Sequence, residues 1–176
     1  ALVQNGIIGK VREVHTWSSK KWGDTGAPPS REDPVPAGFN WDLWLGGCAP
    51  RAFISDYYHP GNWRKRLDFG TGTFGDMGCH ILDPVFRILP IDFPTEVECS
   101  TTTAWEGFFK EANYLESCPS SSIIHLKYPR KDGKGTLRLT WMDGGLLPER
   151  PEELLPDEQM GDYNGGVIFE GSKGKM

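Results

Sequence analysis

The sequence predicts an α+β chain, and three observations carry that reading. β-type runs recur from residue 8 to residue 170, several with apolar and polar residues in strict alternation. One stretch, 72–89, instead repeats its apolar residues at spacings of three and four. A Lys-Asp-Gly-Lys-Gly segment at 131–135 supplies a hairpin turn between two of the runs. Alternation with period two sends side chains to opposite faces of a sheet, and a period near 3.6 puts them on one helix face. At 176 residues the chain fits one domain spanning 1–176.

Taken in order, "ALVQNG" reads as the last helical turn of something earlier, closed by Gly6 because glycine adopts the left-handed conformation at little cost. Residues 8–18 form the first strand. Residues 20–40 carry four prolines and three glycines, an irregular arm. "NWDLWLGG" is a short helix with Asn40 as N-cap and Gly46 as its stop.

The long helix at 72–89 places Phe74, Met77, Ile81, Val85 and Ile88 on one stripe. Pro84 has no amide to bond the carbonyl of His80, so a kink or restart is expected there. Asp83 then serves as N-cap and Pro84 as first residue of a second segment.

Strands follow at 95–105, 121–128 and 135–143. In the second of these Ile124, Leu126 and Tyr128 oppose Ile123, His125 and Lys127; in the third Leu137, Leu139 and Trp141 oppose Arg138, Thr140 and Met142. Residues 142–163 are irregular and rich in proline and acid, and loops this long usually carry function or contacts. A strand at 166–170, a turn through Gly171 to Gly174 and a further short strand end the chain. A helical turn at one end and an incomplete hairpin at the other suggest a piece of a longer protein, cut at both ends.

Net charge of −5 opposes a nucleic-acid or anionic-membrane surface, because phosphates require a basic patch. No apolar run approaches the ~20 residues needed to span a bilayer. No leader is visible, and the compartment stays open. Cys48, Cys79, Cys99 and Cys118 form neither a C-x-x-C pair nor a dense framework, so they are expected to be reduced and mostly buried.

Three motif matches crowd into "LDFGTGTFGDMGCHILD". Gly70, Gly72 and Gly75 spell G-x-G-x-x-G, but the preceding "GNWRKRLDF" is too charged for the buried strand that carries such a loop to a dinucleotide. Asp68-Phe69-Gly70 matches the kinase magnesium tripeptide, yet the rest of the kinase signature is missing. Asp76, His80 and Asp83 lie four and three apart, on one side of the helix. Spacing alone leaves three options open: a surface Asp–His pair beside a capping Asp83, an acid–base pair, or metal ligands, the last lacking any further ligand motif. His59, Trp63 and Arg64 in "YYHPGNWRK" are candidates for bordering a pocket and for stacking on and bonding a polyhydroxylated ligand. His15 and His125 read as strand residues.

At these residues the sequence resembles the C-terminal, substrate-binding domain of the Gfo/Idh/MocA family. "IIGKVREVHTW" is similar to the family's opening strand after its cofactor domain, "WDLWLGGCAPRAF" and "YYHPGNWRKRLDFGTGTFGDMGCHILD" to one bacterial subgroup, and "GGVIFEGSKGKM" to its late hairpin. The specific core is D-x-G-x-H-x-x-D at Asp76, Gly78, His80 and Asp83. The resemblance implies an open, mainly antiparallel or mixed β-sheet with helices on one face, the other face often making the oligomer contact. It implies an enzyme using NAD or NADP, bound mainly by an N-terminal Rossmann domain that this chain lacks along with its E-K-P lysine.

By that resemblance His80 and Asp76 are catalytic, His80 taking a hydroxyl proton from a sugar or cyclitol as hydride leaves. An imidazole, with an ordinary pKa of about 6.5, suits this role near neutrality. Trp63, Arg64, His59 and Asp83 become substrate-binding residues; no metal and no cofactor-binding residue is expected in this chain. The partners implied are a small carbohydrate and further copies of the chain, not nucleic acid or membrane. Two alternatives stand beside this: a domain of an NAD-dependent glycosidase, and a non-catalytic module for oligomerisation or ligand binding.

Overall fold

In a computed structural model the chain forms a six-stranded sheet with helices on one face. The structure describes residues 1–176 apart from 113, 132 and 134. The strands are β1 (Val11–Ser18), β2 (Glu96–Thr101), β5 (Ser122–Pro129), β6 (Thr136–Met142), β7 (Gly165–Gly171) and β8 (Gly174–Lys175). β3 (Ala104–Gly107) and β4 (Lys110–Ala112) make a separate hairpin. Sheet order is β2-β5-β6-β1-β7-β8; only β1 against β6 is parallel. The α+β class, the openness and the mixed pairing follow the expectation.

Alternation fixes which face is buried. Val14, Leu126, Tyr128, Leu137, Leu139 and Phe169 share one face and pack around Val85 of the helical layer. Trp141 packs with Met77 and Ile81 on the same side, with the Phe74 ring 5.1 Å away. Burying such side chains contributes roughly 1.5–3 kcal/mol each. Their strand neighbours Arg138, Lys127 and Glu13 face away from the helices, as the period-two pattern requires.

The helical layer breaks near the predicted point. α2 (Gly72–Ile81) and α3 (Asp83–Ile88) meet at Leu82, whose amide still donates to the Gly78 carbonyl at 2.8 Å. Pro84 leaves the carbonyl of His80 without an α-helical partner, which accounts for the break. Asp83 does not cap α3: the helix already includes it, Leu82 holds the cap position, and the Asp83 carboxylate bonds Arg87 one turn on at 2.9 Å. α1 (Trp41–Leu45) follows expectation, with Asn40 Oδ1 accepting from the Leu43 amide at 2.9 Å and Gly46 at φ 60°.

Two further expectations need correction. The run 95–105 is not one strand: β2 joins the sheet and β3 turns away to pair with β4. Of the cysteines, all free, only Cys118 is buried; Cys79 and Cys99 are exposed, because β2 at the sheet edge and the outer side of α2 face solvent. Residues 132 and 134 of the predicted turn lie outside the described residues, while the β5–β6 pairing it joins is antiparallel as expected.

The arm at 20–40 runs as irregular chain beside α2 and then along a second, aromatic core. Trp41, Leu45, Phe53, Ile54 and Tyr58 are its buried members.

Candidate active site on the second helix

α2 is positioned at its start by the arm. The Thr73 hydroxyl accepts from the Trp22 amide at 2.9 Å and donates to the Lys20 carbonyl at 3.3 Å. One turn on, Asp76 is clamped: Oδ2 accepts from the Trp22 indole at 2.7 Å and Oδ1 from Arg64 Nε at 2.8 Å. The Arg64 guanidinium lies 4.6 Å from the Trp63 ring and 5.4 Å from the Trp22 ring. Charge-assisted hydrogen bonds and cation–π contacts of this kind hold geometry firmly when partly buried. Asp76, Arg64, Trp63 and Trp22 therefore form one knot joining α2, the 3-10 turn Asn62–Lys65 and the arm.

His80 is in a different situation. It lies in the last turn of α2, exposed, and its imidazole makes no hydrogen bond or ion pair among the described residues. It borders a cleft of about 510 Å³ with Met77, Ile81 and Pro84 on the helical side and Asp162, Asn164 and 165–167 on the other. The Asp162 carboxylate is fixed by its own turn: its Oδ1 accepts from the amides of Asn164 at 2.7 Å and Gly165 at 3.2 Å. Its Oδ2 has no partner among the described residues. Glycine at 165–166 leaves room for β1 on the other side: a Cβ on Gly166 would sit 2.4 Å from the Trp17 ring.

The predicted site residues thus separate. Asp76 and His80 share a helix, but Asp76 does not orient the imidazole, since its two oxygens already serve Trp22 and Arg64. Trp63 and Arg64 are brought to Asp76 rather than to the His80 cleft. Asp83 is exposed and paired with Arg87. His59 is exposed at the margin of the aromatic core, 5.0 Å from the Phe39 ring and 6.3 Å from that of Trp44, and does not line the His80 cleft. His125 bonds Thr140 on the far sheet face at 3.0 Å, and His15 lies between Glu13 and Glu170, so neither reaches the cleft.

Sequence reasoning missed Asp162, Asn164 and Trp22. The first two had a readable signal, an Asp-x-Asn turn immediately before a Gly-Gly strand start. Trp22 had none, since nothing in the arm's composition shows which helix it meets.

The glycine motif is packing. A Cβ on Gly70 would sit 2.7 Å from the Arg64 backbone, one on Gly72 2.9 Å from the Cys118 side chain, and one on Gly75 1.7 Å from Thr71 Oγ1. These glycines face their own chain and leave no cradle for phosphates. No group of described residues has the arrangement of a metal site. A larger cleft of about 730 Å³, among the first residues, α3 and the β5–β6 ends, is lined among the described residues by Arg87, Arg130 and Lys131 and by no carboxylate or imidazole.

Fold and site together define an α+β domain that presents an exposed histidine, His80, over a polar-rimmed cleft. Residues 1–108 match the model of the oxidoreductase family's C-terminal alpha/beta domain of the Gfo/Idh/MocA group, and the chain belongs to that family. The matched stretch contains β1, both helices of the site, Asp76 and His80. Comparison with curated proteins gave no match.

Proposed function

We propose that this domain is the substrate side of an NAD(P)-dependent oxidoreductase acting on a hydroxyl of a sugar or cyclitol, with His80 as the proton acceptor. The observation that carries it is the pairing of an exposed, unbonded imidazole with a fixed carboxylate, Asp162, across one cleft. His80 takes the proton of the hydroxyl being oxidised. Asp162 Oδ2 accepts from a neighbouring hydroxyl and sets which carbon lies under the imidazole; a polyol offers adjacent hydroxyls for both, a simple alcohol does not.

NAD or NADP, when bound, supplies the hydride acceptor. The glycines at 70–75 do not fit its phosphates, so its cradle lies outside these residues and the chain alone is expected to turn nothing over. Asp76 acts here as a positioning residue: by tying α2 to Trp22 and Arg64 it holds the helix that presents His80.

The test uses the full-length polypeptide carrying this domain. Denaturing it and chromatographing the supernatant identifies any nicotinamide cofactor. His80→Ala is then expected to lower kcat by about 10²–10⁴, the usual yield of general-base catalysis, with cofactor still bound. Asp162→Asn is expected to raise KM for polyols. Unchanged turnover in His80→Ala would remove the base assignment. Released sugar without net reduced cofactor would indicate the redox glycosidase, and absence of any cofactor binding the non-catalytic module.

A further inference from the structure

The cleft of about 730 Å³ at the far end of the helical layer takes no part in the chemistry proposed for His80. Among the described residues the two clefts share no lining residue, and they stand at opposite ends of β1. Val11 borders the larger one, while Gly165 and Gly166, paired with Ser18 and Trp17, border the other. The strand from Val11 to Ser18 separates them by about 23 Å.

Its walls are apolar. Phe86, Leu89 and Ile91 are only partly covered there, above Val11 and Leu137 of the buried sheet core. Pro90 and Pro129 stiffen two edges, because a proline ring fixes φ, and a preformed opening spares a ligand the cost of ordering it. The volume lies within the range of about 300–1,000 Å³ found for small-molecule sites. Its charge has one sign. Arg87, Arg130 and Lys131 are each held: Arg87 by Asp83 at 2.9 Å, Lys131 by Asp92 at 3.3 Å, and Arg130 by the Val11 carbonyl at 2.6 Å. Neither aspartate lines the cleft. An ammonium carries three donors and a guanidinium five, so Lys131 and Arg87 can each serve a second acceptor.

We propose that this cleft binds a free medium-chain carboxylate, its alkyl chain against Phe86, Leu89 and Ile91 and its head at the cationic rim. A polyol does not fit, because apolar walls leave its hydroxyls without acceptors and unmatched polar groups are costly to cover. A purely apolar molecule wastes the cations. A chain ending in one anion uses both features: the walls supply affinity in proportion to the area they cover, and the rim supplies charge-assisted hydrogen bonds to the head. The inference is independent of the chemistry at His80.

Titration calorimetry on the full chain with hexanoate, octanoate, decanoate, acetate and octan-1-ol tests it. Each added methylene is expected to tighten Kd about fourfold until the cleft is filled. Octan-1-ol, with the chain but no charge, is expected to bind at least about tenfold more weakly than octanoate, and acetate not measurably at about 1 mM. Lys131→Glu is expected to weaken octanoate at least about threefold at low salt and to leave octan-1-ol unchanged, a split that a misfolded chain would not give. Phe86→Ser is expected to weaken both. Absence of saturable decanoate binding at about 1 mM would overturn the proposal, as would equal affinity for octanoate and octan-1-ol, or acetate binding as tightly as octanoate. So would a Leu89→Asp variant that sediments as a smaller species than a wild type indifferent to decanoate, because a second copy would then cover the cleft.

Discussion

The molecule has two cores built on different principles. The first lies between sheet and helices and is made of alternate residues: Val14, Leu139 and Trp141 are fully buried because each strand turns every second side chain inward. The second is assembled from loops and one short helix at 39–69 and held by rings. Trp41 stacks on Trp44 at 4.9 Å and meets Phe53 edge-on at 5.2 Å, while Trp44 meets Phe69 at 4.7 Å. A sheet needs only correct spacing to form a core, because its backbone bonds are already satisfied. A loop core needs large side chains, since aromatic pairs add about 0.5–1.5 kcal/mol beyond their buried area and offset the missing ladder.

Four changes separate the two cores, from largest effect to smallest. Trp141→Ala removes a fully buried side chain whose indole donates to Asp143 at 2.8 Å, beneath the helix that carries His80. It is expected to cost about 3–5 kcal/mol and to lower the midpoint of the whole denaturation curve. Phe53→Ala in the aromatic core is expected to cost about 3 kcal/mol, with the loss confined to 31–69. Hydrogen exchange resolves this: amides there should open while those of β5 and β6 stay protected. Equal loss of protection in both regions would mean a single cooperative core.

Asn40→Ala, which deletes the cap of α1, is expected to cost about 1 kcal/mol and to act on the aromatic core alone. The smallest effect concerns acid. The Asp33 carboxylate is held below its usual range by the Ser55 amide at 2.8 Å and by Arg31, and it helps dock the arm beside Phe53. Because the folded-state pKa is the lower one, this contribution is complete above the unfolded value of about 3.9 and fades as pH falls through the folded one. Asp33→Asn should therefore shift arm protection at neutral pH and leave it unaltered in strong acid.

This contrast also explains what was legible in the sequence. β5 and β6 could be read almost residue by residue, because Leu126, Leu137 and Leu139 declare their face through period two. The helix break at Leu82 and the Asn40 cap were legible because proline chemistry and capping are local. The end of β2 was not: nothing near Thr101 separates a strand that continues from one that leaves the sheet, since only pairing with β4 decides it. At the site, spacing placed Asp76, His80 and Asp83 on one side of the helix but left three readings open, and only the family resemblance singled out His80. The partner of Asp76 was not, because Trp22 is 54 residues away in the chain and meets it only through the arm. Asp162 reaches the cleft across a still longer separation, on a loop whose length pointed to function or contacts but whose composition did not say which residue or which partner.

The position of β1 has a consequence in time. Within this sheet it is the first strand made, yet it lies inside, with β6 on one side and β7 on the other. Its first neighbour, β6, is complete only at Met142, 124 residues after Ser18, and β7 only at Gly171. At about 5–20 residues per second a ribosome needs about 6–25 s to reach the end of β6. Throughout that interval Val11, Val14 and Trp17 have no ladder to join, and their amides must be kept from pairing with passing chains. During that interval the emerging domain depends on its surroundings, not on ladder contacts, to keep β1 available for the strands that will flank it.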